Sequence, residues 1–290
     1  MPDEVTSNED FYTVSKNVID PKVSVNRWSL KVEGLVERPF ELTYDELRAL
    51  PASSQFTTLT CISNPVGGPL ISNAKWTGVR LIDLLEQGGL LPGVRDIALF
   101  AAEGYSDSIT LEKALEPTTL VAYAMNDELL PSSHGAPVRL VVPGIFGMKN
   151  VKWLTAIEAT NEDFKGFWER RGWSDIAIIK TMSRIDLPNS EIIAPGRNAI
   201  GGVAYAGTRG VPKVEWSADG GDTWKEAVVR PPVEPFSWVL WADEWTPRAS
   251  GTIRLRVRAT DATGEVQTAR ITEPFPNGSS GHHEIFSRLL

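Results

Sequence analysis

Cys61 is the only cysteine among 290 residues, and its thiolate is the kind of soft ligand that soft and borderline metals prefer. It directly follows a strand-like segment that ends at Thr60, and a loop rich in proline and glycine runs from Ser63 to Pro69. This context predicts an exposed, sharply bent loop in which the thiolate acts as a metal ligand or as a nucleophile. An isolated cysteine more often packs as a small apolar side chain, so burial in the core is the competing interpretation.

A second group of chemically capable residues lies far downstream. His134 comes before Arg139, and Lys149 and Lys152 follow. Cationic donors in a segment that also contains glycines, which allow close backbone approach, can bind a phosphate group. The competing interpretation is a solvated strand edge for the lysines and a structural hydrogen bond for the histidine. Thiolate and cationic donors together indicate a large cofactor that carries both a soft metal and a phosphate.

Composition excludes several classes of function. The net charge of −8 without a basic run argues against nucleic acid as the main partner. No apolar stretch approaches the roughly 20 residues of a membrane span, and the acidic N-terminus is not a signal peptide. We therefore expect any export signal or membrane anchor to lie on a segment missing from this sequence. The sequence also has neither a CxxC or HExxH zinc pattern nor a GxGxxG or P-loop pattern.

Short elements must position these residues. Residues 43–46 have the spacing of a capping box and predict the start of a short helix. The leucines and isoleucine of residues 81–85 have helical spacing, and Gly88-Gly89 provides the stop signal. Residues 138–142 predict an apolar strand interrupted by Arg139, whose burial requires an anionic partner.

The character of the chain changes near residue 175. Val214 and Trp216 lead into the turn signal of residues 219–222, which predicts a hairpin. Residues 253–259 alternate between apolar residues and arginine, as in a strand with one buried face. These short strands predict an immunoglobulin-like sandwich over residues 176–290, after an α+β domain over residues 1–175.

Several ordered motifs together resemble the sulfite oxidase family of molybdenum-cofactor enzymes over nearly the whole length. The motifs are Phe11-Tyr12, the strand that ends in Cys61, residues 73–79 (NAKWTGV), His134-Gly-x-Pro-x-Arg139, residues 142–144 (VPG), residues 151–154 (VKWL), the segment from Val214 to Trp224, and Trp238-x-x-Trp241.

The resemblance implies a pyranopterin molybdenum cofactor, Mo-molybdopterin, in the first domain. Cys61 matches the protein thiolate that binds the metal alongside the dithiolene sulfurs. Other positions match cofactor-binding residues of the family: Tyr12, Thr13, His134, Arg139, Asn150, Val151 and Lys152. The implied activity is two-electron oxo transfer, in which the cofactor performs the redox step.

Two departures from the family pattern concern the substrate. Sulfite-oxidising members carry arginines shortly after the cysteine, whereas this chain has residues 64–66 (NPV). They also carry a tyrosine where this chain has Phe164, in residues 164–167 (FKGF). Both changes predict a small-molecule substrate other than sulfite. Arg170 and Arg171 are candidates for a replacement cation, and a surface pair is the favoured interpretation.

The resemblance also implies partners. We expect a separate electron-transfer partner, a haem or quinone protein, since the sequence has no CxxCH motif. A homodimer through the second domain and an extracytoplasmic location follow from the family alone. Two alternatives remain open: a non-catalytic interaction protein with a vestigial pterin site, and a cysteine hydrolase that uses Cys61 and His134.

Overall fold

The computed structural model describes residues 1–247 and 251–289. Its helices are short, and they are α1 Tyr44–Ala49, α2 Leu81–Gly88 and α3 Leu111–Ala114. Local signals set their ends. Thr43 caps α1, because its hydroxyl accepts from the Glu46 N–H while the Glu46 carboxylate accepts from the Thr43 N–H at 2.8 Å, which confirms the capping box. Helix α2 ends where Gly89 adopts a φ of +70°.

The first part of the chain forms two sheets. One has the order β2-β1-β10-β5-β6, and β1 and β10 are parallel. The other has the order β3-β4-β7-β8, with β9 also paired to β7. The strands are β1 Ser29–Gly34, β2 Phe40–Thr43, β3 Ser53–Thr60, β4 Ile71–Arg80, β5 Asp96–Ala101, β6 Ser106–Thr110, β7 Leu120–Met125, β8 Glu128–Leu129, β9 Arg139–Val141 and β10 Leu154–Thr160.

The later part of the chain forms two further sheets, with the orders β11-β13-β17-β16 and β12-β19-β18-β14-β15. The strands are β11 Met182–Leu187, β12 Ile192–Ile193, β13 Asn198–Tyr205, β14 Lys213–Ser217, β15 Lys225–Glu226, β16 Val228–Arg230, β17 Val239–Trp245, β18 Gly251–Thr260 and β19 His283–Leu289. The predicted hairpin is confirmed by the antiparallel pairing of β14 with β15. The alternating strand is confirmed as β18, in which Leu255, Val257 and Ala259 are buried.

Separate apolar cores stabilise the two parts. Leu81, Leu84 and Leu85 of α2 are fully buried against Leu30 and Val32 of β1 and their neighbours. Each such side chain contributes about 1.5–3 kcal/mol through burial. The sheets formed by β11–β19 enclose a second core, in which Trp216 and Trp241 are 1% exposed. These cores keep the sheet ends rigid enough to hold a site.

The later part of the chain covers the edge of β3, the strand that leads to Cys61. The Thr58 N–H donates to Phe236 O at 3.0 Å, and the Trp238 N–H donates to the Thr58 hydroxyl at 2.8 Å. Tyr205 also donates to Thr58 O at 3.1 Å. An edge strand otherwise leaves its backbone groups without partners, so these contacts fix the direction of β3.

The loop after Cys61 is exposed only in part: both of its prolines are exposed, as its composition predicts, whereas two other residues of the loop are covered. Asn64 is only 5% exposed, and Gly68 is buried. Residues far along the chain cover this loop: Arg184 donates to Gly68 O at 3.1 Å, and Ser279 donates to Asn64 O at 2.7 Å. The sequence around the loop could not reveal this cover, because its donors lie more than 100 positions away.

None of the helices in residues 1–247 and 251–289 has the length and apolar character needed to cross a membrane.

Candidate active site

A cavity of about 280 Å³ lies where the end of β3, the turn Ser132–His134, the loop before β10 and the N-terminal segment meet. The predicted site residues come from segments that are distant in sequence, and all eight line this cavity. They are Tyr12, Thr13, Cys61, His134, Arg139, Asn150, Val151 and Lys152. The fold therefore brings the thiol and the cationic donors to one place.

Cys61 is the first residue after β3, and its backbone is held firmly. Its N–H donates to Leu70 O at 3.0 Å, and its sulfur lies 3.0 Å from the hydroxyl oxygen of Ser63. The residue is 8% exposed, yet it lines the cavity. The thiol is therefore part of the cavity wall, where a metal or a small molecule can reach it.

Arg139 places a buried positive charge beside the cavity. Its guanidinium donates to His134 O at 3.0 Å and Asn150 O at 3.1 Å, and it lies 4.9 Å from the centre of the Trp76 ring. These carbonyl acceptors carry no negative charge, and within the described residues no carboxylate forms an ion pair with this guanidinium. Burial lowers the pKa of Arg139 to about 10. A bound anion would supply the missing countercharge.

Lys152 adds a second cation to the same cavity. Its ammonium donates to the Ser15 hydroxyl at 2.8 Å and to Ser133 O at 3.0 Å, and it lies 4.3 Å from the centre of the Trp153 ring. Burial, followed by the neighbouring charge of Arg139, lowers the pKa of Lys152 to about 8. Two partly desolvated cations on one wall make this cavity a site for an anion, although the whole chain is acidic.

His134 contributes a neutral imidazole. Burial lowers the pKa of its ring below the usual value, so the ring is uncharged near pH 7. Its Nε2 lies 2.8 Å from Asn8 O and must carry the hydrogen, because a carbonyl only accepts. The His134 Nε2 is thus hydrogen-bonded to the backbone, and the hydrogen-bond partner of the Cys61 thiol is Ser63 and not this histidine. This arrangement does not favour the hydrolase interpretation.

The remaining predicted residues supply polar groups of different kinds. The Asn150 side chain forms hydrogen bonds to the protein backbone: its Oδ1 accepts from the Val142 N–H at 2.7 Å, and its Nδ2 donates to Phe146 O at 3.2 Å. Its own carbonyl accepts from Arg139. Val151 O accepts from the Leu140 N–H at 2.8 Å, while the Val151 N–H has no acceptor among the described hydrogen bonds. That N–H is available as a main-chain donor to a bound group.

Tyr12 and Thr13 form the side of the cavity made by the N-terminal segment. The Tyr12 N–H donates to the Ser72 hydroxyl at 3.2 Å, which fixes this segment on the sheet of β3 and β4. Burial, and then the nearby Cys61, raise the pKa of Tyr12 well above its usual value. The phenol therefore remains a neutral donor. Gly147 allows the chain to approach this phenol closely, since a Cβ there would lie 2.8 Å from the phenol oxygen and would displace it.

Lys149 is not part of the phosphate site that its spacing suggested. Its ammonium donates to Asp107 at 2.9 Å and to Glu169 at 2.8 Å, and its side chain is 3% exposed. It does not line the cavity. The sequence prediction was wrong here because both carboxylate partners lie on other segments and neutralise the lysine inside the protein.

Sequence reasoning missed several aromatic residues of the cavity wall. Tyr105, Trp168 and Trp173 line it, whereas Phe164 and Phe167 do not. Trp168 and Trp173 pack against Ile62 and Met148 in one apolar cluster. The two tryptophans of residues 168–173 were the available sequence signal, because large aromatic side chains often line binding cavities.

Arg170 and Arg171 do not line the cavity, in agreement with the favoured interpretation as a pair outside the site. Arg170 donates to Gly166 O at 3.0 Å, and Arg171 donates to Phe167 O at 2.6 Å. Lys16 does line the cavity, where its ammonium donates to Glu103 O at 3.0 Å.

Comparisons with known proteins agree with this geometry. The family model of the oxidoreductase molybdopterin binding domain matches residues 17–168. Sulfite oxidase of Gallus gallus is 30% identical over 91% of this chain and 68% of its own length. Mitochondrial sulfite oxidase of Drosophila melanogaster is 29% identical over 90% of this chain, which spans 55% of that relative's length. The sulfane dehydrogenase SoxCD from Paracoccus pantotrophus shares the fold, with a TM-score of 0.88 at 23% identity over 99% of this chain and 82% of that chain.

The chain belongs to the sulfite oxidase family of molybdopterin oxidoreductases. It is an enzyme, and its cofactor is Mo-molybdopterin. The residues present fit this cofactor, because the cavity combines one accessible thiol with the cations of Lys16, Arg139 and Lys152, none of which has a carboxylate partner among the described residues.

Proposed function

We propose that Cys61 is the protein ligand of the molybdenum and that the enzyme carries out two-electron oxo transfer on a small molecule other than sulfite. The observation that supports this proposal is the shared cavity, in which one thiol faces the same space as Arg139 and Lys152. The bound cofactor would supply the two-electron redox chemistry.

The protein's contribution is binding and orientation. Arg139, Lys152 and the Val151 N–H would hold the phosphate, because both cations are partly or fully desolvated and pair with no carboxylate among the described residues, and the Val151 N–H has no acceptor there. His134, Tyr12 and Thr13 would contact the pterin. The aromatic wall would limit the access of water and so strengthen these electrostatic contacts.

The residues next to Cys61 support a substrate other than sulfite. Ile62 and Ser63 line the large cavity, and neither carries a charge. Asn64, Pro65 and Val66 line a separate cavity of about 20 Å³. The Cys61 loop thus presents no cation that could pair with an oxyanion substrate.

The direct test of this function uses protein produced in a host that makes the cofactor. We expect about one molybdenum per chain by elemental analysis and no reduction of an artificial electron acceptor by sulfite. Sulfite oxidase of Gallus gallus in the same assay is the positive control. Metal-free protein would contradict the enzyme assignment, and sulfite-driven turnover at the rate of that control would contradict the proposed substrate.

We expect anion binding by the cofactor-free chain to weaken as the pH rises through about 8. The pKa of Lys152 is lowered to about 8, so its ammonium form is lost above that pH, and a bound phosphate stabilises the charged form. Calorimetric titration with inorganic phosphate at several pH values measures this dependence. Lys152→Met should remove it, and Lys165→Met, at a lysine outside the cavity, should preserve it. A wild-type affinity that is constant through pH 8 would contradict the role of Lys152.

We also propose a division of the chain into two domains, and partners for the enzyme. We divide the chain into a cofactor domain of residues 1–175 and an immunoglobulin-like domain of residues 176–290. The sheet pair of β11–β19 around one core supports the second assignment. A separate haem or quinone protein would exchange electrons with the enzyme, and a homodimer and an extracytoplasmic location are proposed from the family resemblance.

A further inference from the structure

A buried ionic cluster lies beside the cavity and has no role in the function described above. Lys149 donates to Asp107 at 2.9 Å, to Glu169 at 2.8 Å and to Ser108 O at 2.9 Å. The side chains of Asp107, Lys149 and Glu169 are 0%, 3% and 2% exposed. A cluster this far from water must balance its charge internally.

The charges of this cluster do not balance if both carboxyl groups are ionised. Two carboxylates then face one ammonium, and the remaining oxygen of Glu169, Oε2, is buried without a hydrogen-bond partner. The two carboxyl groups bond to the same ammonium nitrogen, Asp107 through Oδ1 at 2.9 Å and Glu169 through Oε1 at 2.8 Å, and they therefore lie side by side. One proton held between the two carboxyl groups would both neutralise the cluster and satisfy this oxygen.

The electrostatics agree with a shared proton. Burial raises the pKa of Asp107 to about 7, with Lys149 opposing and the charge and hydrogen bonding of Glu169 reinforcing the shift. Burial lowers the pKa of Lys149, but the two carboxylates outweigh it and leave that pKa raised. The lysine therefore stays charged, and Asp107 is the part of the cluster that titrates near neutral pH.

Tyr105 connects this pair to the cavity. Its hydroxyl lies 2.7 Å from Asp107 Oδ2 and 2.9 Å from Met148 O, and both Tyr105 and Met148 line the cavity. A phenol has one hydrogen for these two acceptors. When the proton of the pair lies on Asp107 Oδ2 instead of between the two carboxyl groups, Oδ2 donates to the phenol oxygen and the phenol hydrogen turns to Met148 O. If it is ionised, the phenol donates to it.

We propose that Asp107 and Glu169 share one proton and that Tyr105 transfers protons between this pair and the cavity. The use of these protons in turnover rests on the proposed function, because oxidation of a substrate by addition of an oxygen atom from water releases two protons and two electrons. A proton from the cavity bonds to the phenol oxygen while the phenol hydrogen passes to the ionised Asp107. The tyrosine ends unchanged and the pair gains one proton.

The direction of transfer depends on pH. Below about pH 7 Asp107 holds the proton and acts as a donor, and above it Asp107 is ionised and acts as an acceptor. Other charged groups also face this cluster. Asp175 Oδ1 lies 3.9 Å from the ammonium, and the Asp175 side chain is 45% exposed, so water screens its charge. The Glu103 carboxylate accepts from the Tyr105 N–H, and Arg170 donates to the Ser106 hydroxyl.

Infrared difference spectra of the full chain, recorded during a titration through neutral pH, test the shared proton without any assay of turnover. We expect a protonated-carboxyl band that disappears with an apparent pKa near 7. Glu169→Gln should abolish this titration and retain the fold, since the amide can donate to Asp107 in place of the shared proton. Asp96→Asn, at another buried carboxyl outside the cluster, should leave it in place. Absence of the band in the wild type, or its persistence in Glu169→Gln, would overturn the proposal.

Kinetics of the cofactor-loaded enzyme test the transfer through Tyr105. Tyr105→Phe should lower turnover by about 10-fold or more, since loss of a positioned proton donor typically costs more than that. Glu169→Gln should remove the limb of the pH–rate profile near pH 7, and Tyr123→Phe, at a buried tyrosine outside the cavity, should change neither quantity. An unchanged rate and pH profile in both cluster variants would refute the transfer.

Lack of any molybdenum-dependent turnover would instead count against the proposed function and would leave the infrared result to decide on the shared proton.

Discussion

Replacement of Cys61 with serine is expected to abolish turnover while the fold remains intact. Serine is nearly isosteric with cysteine, and the Cys61 N–H bond to Leu70 O does not involve the side chain. An alkoxide, however, is a poor substitute for thiolate on a soft metal. The loss should exceed the roughly 10–100-fold that removal of an outer-shell partner costs, because here the ligand itself is changed.

The measurement compares turnover and molybdenum content in Cys61→Ser and in Ser63→Ala. The Ser63 hydroxyl is the hydrogen-bond partner of the thiol and lines the same cavity, so this control alters the surroundings of the sulfur but keeps the ligand. We expect the control to retain most of its activity. Full activity in Cys61→Ser would contradict the assignment of the ligand.

Replacement of Arg139 with alanine is expected to produce the largest loss of cofactor. The substitution removes a 5% exposed cation that has only carbonyl partners, so a bound phosphate would lose its countercharge. Hydrogen bonds to charged groups contribute about 1.5–3 kcal/mol each, which corresponds to roughly a 10- to 100-fold loss of affinity. Arg139→Lys keeps the positive charge but loses the planar guanidinium. We expect its cofactor content to lie between those of the wild type and Arg139→Ala.

The experiment must separate cofactor loss from damage to the fold, because the guanidinium also holds two backbone carbonyls. Cofactor content per chain should be measured together with the thermal unfolding of cofactor-free protein. Arg95→Ala, at an exposed arginine, is the matched control. Unchanged cofactor content in a well-folded Arg139→Ala would count against the phosphate site.

The elements that follow from local sequence were predicted well. Two of them, the capping box at Thr43 and the end of α2 at Gly89, depend only on residues within one or two helical turns. The third, the alternation in β18, depends only on the pleat of one strand. The eight predicted site residues also line one cavity, although their roles as ligands remain a prediction. Distinctive motifs identified these residues, since residue type and spacing alone left Cys61, His134 and Lys152 with structural alternatives.

The features that sequence reasoning missed depend on long-range contacts. Lys149 had the residue type and spacing of an anion donor, yet Asp107 and Glu169 neutralise it from other segments. Tyr105 carried no recognisable signal, because its meaning depends on Asp107 and on the position of Met148 O. No local pattern encodes such contacts.

X-ray absorption at the molybdenum edge tests the central claim most directly, because it counts the sulfur neighbours of the metal in the loaded enzyme. The account predicts one sulfur neighbour fewer in Cys61→Ser than in the wild type, and no change in Ser63→Ala. The same sulfur count in Cys61→Ser and wild type would contradict Cys61 as the protein ligand of the metal.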